Sequence, residues 1–249
     1  MGIIIKSSEE IAAMRRAGGI VARVLQRLAS EVRPGMKTLG LDNMCLEELS
    51  KYGALSSFKG YHGFPAHICT SVNDEVVHGI PGDRTLCEGD VVSIDVGVIY
   101  DGFQGDAAIT VGVGEISPEA RRLLEVTEGS LLAGIAATKN NARLGDVSAA
   151  IQRCVEAGGF SVVREYTGHG IGREMHEEPQ IPNFGTSGRG PLLRKGMTLA
   201  IEPMVNSGGY GTRLSDDHWT VTTADGSLSA HFEHTVAVTN GEPEILTMM

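Results

Sequence analysis

The sequence has no long apolar run, no closely spaced cysteine pair and no excess of basic residues. None of its apolar runs approaches the roughly 18–20 residues that a membrane-spanning helix needs. The first ten residues, MGIIIKSSEE, also lack the apolar core of a signal peptide. The four cysteines, Cys45, Cys69, Cys87 and Cys154, show no CxxC spacing, which argues against a zinc knuckle and favours reduced thiols. A net charge of −10 argues against a dedicated nucleic-acid surface. We therefore expect a cytoplasmic protein.

The remaining composition is that of an ordinary globular chain, with 249 residues, 41% hydrophobic and 21% charged. Helices and strands are predicted to alternate. A capping box at Ser7 and Glu10 opens the first helix, and a second follows Thr38, with Leu41, Cys45, Leu46 and Leu49 facing inward. Further helices are predicted from Ser117 to about 138 and over 145–157. Strands are predicted near 67–72, 91–113, 161–165, 197–202, 218–223 and 229–237.

The same order of elements, two helices followed by a strand and a hairpin, occurs twice along the chain. The two halves cover about residues 1–113 and 114–249. This repetition predicts an α+β fold in which two pseudo-symmetric halves close into a single domain spanning residues 1–249.

The segment SIDVGVIYDGFQGDAAIT, residues 93–110, carries two carboxylates inside a predicted hairpin. Asp101-Gly102 is a strong signal for a two-residue type I′ turn, which places Asp106 opposite Gly97 and Asp95 opposite Ala108. The two aspartates then lie on one face as diagonal neighbours, with space left by the small residues opposite them. Adjacent carboxylates repel each other, so an arginine, a shared proton or a metal ion is expected between them.

Other polar residues lie in apolar or glycine-rich surroundings. His169 stands between two glycines in YTGHGIGREMHEEP, which also contains His176. Glu202 is the only charge in GMTLAIEPMV, and Glu233 lies in the alternating segment SAHFEHTVAVT. His78 sits at a Gly-Pro turn in NDEVVHGIPGD. Taken singly, each has a simple explanation as a solvent-exposed loop or strand residue.

Considered together, the four carboxylates and His169 form a plausible set of ligands for two divalent ions that share carboxylates. Oxygen ligands with a single nitrogen suit Mn²⁺, Fe²⁺ or Co²⁺ better than a closed structural zinc site, in which cysteine and histidine dominate.

Six motifs, in order over nearly the whole chain, resemble those of the type I methionine aminopeptidases. They are HGIP, SIDVGVIYDGFQGDAA, YTGHGIG, MHEEP, AIEPMV and HFEHTVAV. The resemblance implies the pita-bread fold, a curved antiparallel sheet flanked by helices. It also implies two bound ions, Co, Mn, Fe(II) or Zn. The implied metal ligands are Asp95, Asp106, His169, Glu202 and Glu233, with Asp106 and Glu233 bridging.

The same resemblance implies an activity, which is removal of the initiator methionine from new proteins when the second residue is small. Water activated by the metal pair would attack the Met–Xaa bond. His78, His176 and Glu202 would be catalytic, with both histidines contacting substrate. The methionine pocket would be formed by Tyr61, Phe64, Cys69, Met175 and Trp219. Two residues depart from the family pattern: Met175 and Thr167 stand where Phe and Cys are more usual.

Several alternatives remain open from the sequence alone. They are a binding protein that kept the peptidase fold but lost catalytic activity, a dinuclear metal hydrolase for Xaa-Pro bonds, and an acidic globular protein that binds no metal. The retention of all five ligand residues weighs against the first. The chain reaches Asp95 too early to carry the large N-terminal domain of prolidases, and the 26 positions from His176 to Glu202 are too few for the helical insertion of type II enzymes. We expect a monomer whose substrate is the N-terminal methionine of nascent chains and which contacts the ribosome transiently. We expect no specific binding of nucleic acid and no binding to membranes.

Overall fold

The structure is a computed structural model that describes residues 2–248. Its four helices are α1 (Ser8–Glu31), α2 (Thr38–Tyr52), α3 (Pro118–Ala137) and α4 (Leu144–Ala157). The strands of the first half are β1 (Leu55–Ser56), β2 (Cys69–Val72), β3 (Glu75–Val77), β4 (Val91–Tyr100) and β5 (Phe103–Gly112). Those of the second half are β6 (Ser161–Val162), β7 (Thr167–Gly170), β8 (Glu177–Pro182), β9 (Thr198–Ile201), β10 (Met204–Asn206), β11 (Thr212–Leu214), β12 (Val221–Thr223), β13 (Ser229–His231), β14 (His234–Ala237) and β15 (Glu244–Ile245).

The strands form antiparallel sheets. In the first half β4 pairs with β1, β2 and β5, and in the second half the order is β15-β14-β9-β7-β8. Two smaller sheets, β13-β10-β6 and β11-β12-β3, flank them. In each half, two helices precede the strands, as predicted, but the second half has more strands than the single strand and hairpin expected. The α+β fold class is confirmed. None of the helices within residues 2–248 has the length and apolar character that crossing a bilayer requires.

Local sequence signals determine where the helices begin. The Ser7 hydroxyl accepts a hydrogen bond from the backbone N–H of Glu10, and the Glu10 carboxylate accepts one from the N–H of Ser7, so the predicted capping box is present. At α3 the Ser117 hydroxyl accepts from the N–H of Ala120, with Pro118 at the first helical position. The prediction that Leu46 faces inward is wrong, because this residue is 46% exposed. The buried stripe of α2 runs instead along 38, 41, 42, 45 and 49.

Each half has an apolar core between its helices and its sheet. In the first half, residues of α1 and α2 such as Val24 and Leu41 pack with Ile94 of β4. In the second half, Ile151 of α4 packs with Leu199 of β9. Helix α1 crosses β5 so closely that a Cβ atom at Gly105 would lie 2.9 Å from the backbone nitrogen of Gly18. Glycine at this crossing is therefore a packing requirement.

The two halves meet along β5. The backbone N–H of Glu233 donates to the carbonyl oxygen of Ala108 at 2.9 Å, and the N–H of Ala108 donates back to Glu233 at 3.3 Å. Beside this pair, the N–H of Asp106 donates to the hydroxyl of Thr235, which in turn donates to the carbonyl of Asp106. This seam places the acidic residues of one half directly against those of the other.

Candidate active site

A cavity of about 250 Å³ lies at the seam between the two halves. All twelve residues that the sequence analysis assigned to the site line this one cavity, together with Phe58 and His62. They are Tyr61, Phe64, Cys69, His78, Asp95, Asp106, His169, Met175, His176, Glu202, Trp219 and Glu233. The structure therefore brings together every predicted site residue, although their positions in the sequence span most of the chain.

The β4–β5 hairpin places the two aspartates as predicted. Asp101 and Gly102 both have positive φ, 51° and 73°, as a type I′ turn requires. The register then pairs Gly97 with Asp106 and Asp95 with Ala108. The expectation of open space opposite Asp106 is wrong. A Cβ atom at Gly97 would lie 2.6 Å from the Phe58 ring, so this ring occupies the space and reaches the cavity.

The two glutamates lie at the same end of a second strand pair. Glu202 follows directly after β9, Glu233 comes directly before β14, and the adjacent residues Ile201 and His234 are paired. The predicted continuous strand over 229–237 is interrupted at Phe232 and Glu233, because β13 and β14 belong to different sheets. The interruption turns Glu233 inward, where it is only 2% exposed.

His169 is oriented as a ligand of a cation would be. Its Nδ1 lies 2.9 Å from the carbonyl oxygen of Gly170, so in the neutral ring Nδ1–H donates and Nε2 keeps its lone pair. The Nε2 atom lies 3.5 Å from Oε1 of Glu202 and 3.9 Å from Oδ2 of Asp106. Burial lowers the pKa of His169 to about 3, which keeps the ring neutral.

The carboxylates are buried without the partners that such groups normally have. Three oxygens, Oδ1 of Asp95, Oδ1 of Asp106 and Oε1 of Glu233, are buried without a hydrogen-bond partner. Burial raises the pKa of Asp95 to about 7 and that of Glu202 to about 8. For Asp106 and Glu233, burial and then the neighbouring carboxylates raise the pKa well above the usual range.

Of the three expected partners for these carboxylates, arginine is excluded. The described residues that line the cavity include no arginine and no lysine. Ligand atoms of Asp106, His169 and Glu233 all lie within 4.8 Å of one another, close enough to contact one ion. A divalent cation would supply the missing charge and occupy the unpaired oxygens, so these residues fit a metal centre.

Two histidines border the carboxylates. His78 has a positive φ of 61°, and burial, with His231 and His176 nearby, lowers its pKa to about 4. The ring of His176 packs 4.2 Å from that of His169, and its Nδ1 lies 2.8 Å from the hydroxyl of Tyr61. Both histidines therefore present an imidazole to the cavity.

The rest of the cavity wall is apolar and aromatic. Phe64 packs edge-on against Trp219 at 5.1 Å between ring centroids. Cys69 and Met175 are buried beside them in the same apolar cluster. Trp219 is held by the turn before it, where a carboxylate oxygen of Asp217 accepts the backbone N–H of Trp219 at 2.9 Å. This wall forms a slot suited to an unbranched apolar side chain.

Three site residues were missed by sequence reasoning. His62 comes directly before Gly63 and two residues after Gly60 in GYHGF, and these nearby glycines gave a usable signal. Nothing in the sequence around Phe58 indicated that it would line the cavity. His231 shares the alternation parity of Glu233, and its buried Nε2 lies 3.6 Å from Oε2 of Glu202 without a hydrogen-bond partner. Parity was the signal that could have identified it.

Comparison with known proteins agrees with this geometry. Residues 12–240 match the model of metallopeptidase family M24. The chain belongs to this family. It is 55% identical to a methionine aminopeptidase of Clostridium perfringens, with 99% of each chain covered. A crystal structure of methionine aminopeptidase from Thermotoga maritima covers 100% of both chains, with 48% identity and a TM-score of 0.98.

The resemblance inferred from the six motifs is thus confirmed over the full length, and the chain is a metal-dependent aminopeptidase. A prolidase from Pyrococcus furiosus shares the fold at a TM-score of 0.81 and 21% identity, but the chain covers only 66% of it. The pita-bread fold is confirmed by these neighbours.

Proposed function

We propose that this aminopeptidase removes the N-terminal methionine of newly made proteins when the second residue is small, using two divalent ions. The observation that carries the proposal is the cavity itself. Buried carboxylates with unpaired oxygens line one side, and an apolar slot containing Met175 and Trp219 lines the other. A substrate chain end whose amino group lies at the carboxylates could therefore place its first side chain against the apolar wall.

The proposed ligands are divided between two ions. Asp106 and Glu233, which meet at the seam, would contact both ions. His169 and Glu202 would complete one of them, since their atoms lie 3.5 Å apart. Asp95, on the neighbouring strand β4, would hold the other. The buried, unpartnered oxygens support this assignment because a bridging carboxylate uses both of its oxygens.

When bound, the ions would supply an activated water and positive charge beside the scissile carbonyl. Glu202 would act as the general base and carry the proton to the leaving amine, because its carboxylate lines the cavity beside the proposed ions. His176 would donate a hydrogen bond to the carbonyl oxygen as negative charge develops there. His78 would contact the scissile nitrogen.

The limit on the second residue follows from crowding. The side chain after methionine would lie among the carboxylates, His78 and His176, in a cavity of only about 250 Å³ that must also hold the methionine side chain. Glycine, alanine or serine would fit, and leucine or lysine would clash. Steric exclusion of this kind can exceed the roughly 1–3 kcal/mol that a single missing methylene is worth.

A peptide assay tests the proposal. Met-Gly-X, Met-Leu-X and Ala-Pro-X peptides are compared in added Mn²⁺, Co²⁺ and Zn²⁺, with free amino acid as the readout. We expect methionine release from Met-Gly-X only. Cleavage of Ala-Pro-X would favour an Xaa-Pro hydrolase, the activity class of the structurally similar prolidase. Equal rates on Met-Gly-X and Met-Leu-X would refute the crowding argument.

We further propose that the enzyme acts in the cytoplasm as a monomer that contacts the ribosome transiently. A chain of net charge −10 needs a local basic patch for such docking. One surface cavity is lined by three arginines, of which Arg15 and Arg16 are paired with Glu244 and Asp101 and Arg23 has no carboxylate partner within residues 2–248. Co-sedimentation with ribosomes at low salt should be weakened by Arg23→Glu, with peptide cleavage unchanged. Undiminished co-sedimentation would place docking elsewhere.

A further inference from the structure

Tyr61 makes a side-chain hydrogen bond that is not required for lining the methionine pocket. Its hydroxyl oxygen lies 2.8 Å from Nδ1 of His176, and the two rings are tilted by 30° with centroids 5.4 Å apart. This hydroxyl makes no other hydrogen bond within residues 2–248. The contact joins a residue of the 61–63 turn to a histidine 115 positions away.

The direction of this hydrogen bond decides which ring nitrogen of His176 carries the proton. If the phenol donates to Nδ1, the neutral ring must hold its proton on Nε2. If instead Nδ1–H donates to the phenol, Nε2 is a bare acceptor. A phenol is a stronger donor than acceptor. Because this hydroxyl has no other partner within residues 2–248, donation to Nδ1 is the arrangement that uses its proton.

The backbone around Tyr61 fixes this hydroxyl in place. The N–H of Tyr61 donates to the carbonyl of Phe58 at 2.9 Å, and its own carbonyl accepts from the N–H of Phe64 at 2.9 Å. The turn is further constrained by positive φ values at Gly60 (85°) and His62 (47°). A residue held this firmly can orient its partner.

The loop that carries His176 is anchored as well. The carboxylate of Glu177 accepts the backbone N–H of Arg173 at 3.0 Å and is paired with the buried ammonium of Lys6. With both ends of the contact fixed, the Tyr61 hydroxyl and Nδ1 of His176 form a preorganised pair.

We propose that Tyr61 is a positioning residue, whose hydroxyl donates to Nδ1 of His176 and thereby keeps the proton on Nε2. This leaves Nε2–H as the donor that His176 offers to a substrate carbonyl in the cavity. The inference rests on the proposed function for its consequence in catalysis, but the tautomer itself is a property of the protein alone. Tyr61 would therefore do more than line the methionine pocket.

The first test is spectroscopic and needs no substrate. Long-range ¹H–¹⁵N spectra of the imidazoles are recorded at about pH 8, on the protein as isolated and after addition of Zn²⁺, with His176 assigned by mutation. We expect wild-type His176 to carry its proton on Nε2. In Tyr61→Phe we expect a mixture of the two tautomers. A wild-type His176 that carries its proton on Nδ1 would overturn the proposal.

The second test is kinetic. Tyr61→Phe keeps the ring in the pocket and removes only the hydroxyl, so kcat for a Met-Gly peptide should fall about tenfold, with KM nearly unchanged. The matched control is Tyr210→Phe, whose side chain is 48% exposed and lies outside the cavity, and which should behave as wild type. If Tyr61 is only a pocket wall, Tyr61→Phe will leave kcat and the tautomer unchanged, which refutes the proposal. An inactive wild type with the expected tautomer would refute the proposed function instead.

Discussion

Replacing Lys6 with methionine should destabilise the protein far more than replacing a surface cation. The ammonium of Lys6 is paired with the carboxylate of Glu177, and these side chains are only 3% and 5% exposed. Methionine retains most of the apolar stem but leaves the Glu177 charge buried and unpaired. Removing one partner of a buried ion pair typically costs about 3–5 kcal/mol.

The structure favours the lower end of that range. The Glu177 carboxylate keeps two backbone donors, the N–H groups of Arg173 at 3.0 Å and Glu174 at 3.4 Å. We therefore expect a loss of about 3 kcal/mol in the free energy of unfolding. For a chain of this size, that corresponds to a fall in Tm of about 6–12 °C.

Thermal and urea unfolding, followed by circular dichroism, measure this loss. The control is Arg16→Met, because Arg16 and Asp101 form an exposed pair, 54% and 51% accessible, worth about 0–1 kcal/mol. The double variant Lys6→Met with Glu177→Gln should recover much of the loss, since the amide leaves no buried charge. A Lys6→Met variant as stable as Arg16→Met would refute the reasoning. So would a double variant less stable than Lys6→Met alone.

Four further predictions concern the site. Asp106→Asn should abolish peptide cleavage while the exposed control Glu119→Gln should not, because an amide cannot balance the charge of two ions. A chelator should abolish activity, and Mn²⁺ or Co²⁺ should restore it, with a cooperative thermal transition retained throughout. Because burial raises the folded-state pKa of Asp95 to about 7 and of Glu202 to about 8, the metal-free protein should lose stability in thermal scans as pH rises from about 6.5 to about 8, where the buried histidines are largely neutral in both the folded and unfolded states. His176→Ala should lower kcat about 10²–10³-fold, whereas Cys69→Trp should mainly raise KM. Normal turnover in Asp106→Asn or His176→Ala would contradict these assignments.

Features determined by adjacent residues were predictable from the sequence. The Asp101-Gly102 turn has one preferred hairpin geometry, so the pairing of Gly97 with Asp106 followed from two residues. The capping box at Ser7 likewise depends only on a spacing of three. The grouping of the twelve site residues required the resemblance, because no local rule places His169 near Asp106.

Features that depend on packing between distant segments were not predictable. Periodicity suggested a continuous strand through Glu233, but pairing of its flanks with different sheets breaks the strand there. The Phe58 ring fills the space over Gly97 only because a separate loop crosses the hairpin. The contacts of Lys6 and of Tyr61 join residues more than 100 positions apart and involve side-chain atoms alone. No alternation pattern reports such contacts.

The seam between the halves explains why the carboxylates can converge without closing the cavity. Three residue pairs cross it in antiparallel register: Asp106 with Thr235, Ala108 with Glu233, and Thr110 with His231. Only the central pair bonds backbone to backbone. In the outer pairs a threonine hydroxyl stands between the chains, accepting one backbone N–H and donating to the carbonyl of the same residue.

A hydroxyl placed between two backbones holds them further apart than a direct ladder hydrogen bond would, while still satisfying the polar groups of both. Direct backbone hydrogen bonds therefore join the two halves only at Ala108 and Glu233. On either side of this pair a threonine hydroxyl separates the two backbones. Asp106 and Glu233 are brought together at this directly bonded pair, and the wider separation of the backbones beside it leaves room for the cavity. The same threonines that keep the buried seam free of unsatisfied backbone groups thus allow it to hold unpaired carboxylate oxygens, which a bound cation would satisfy.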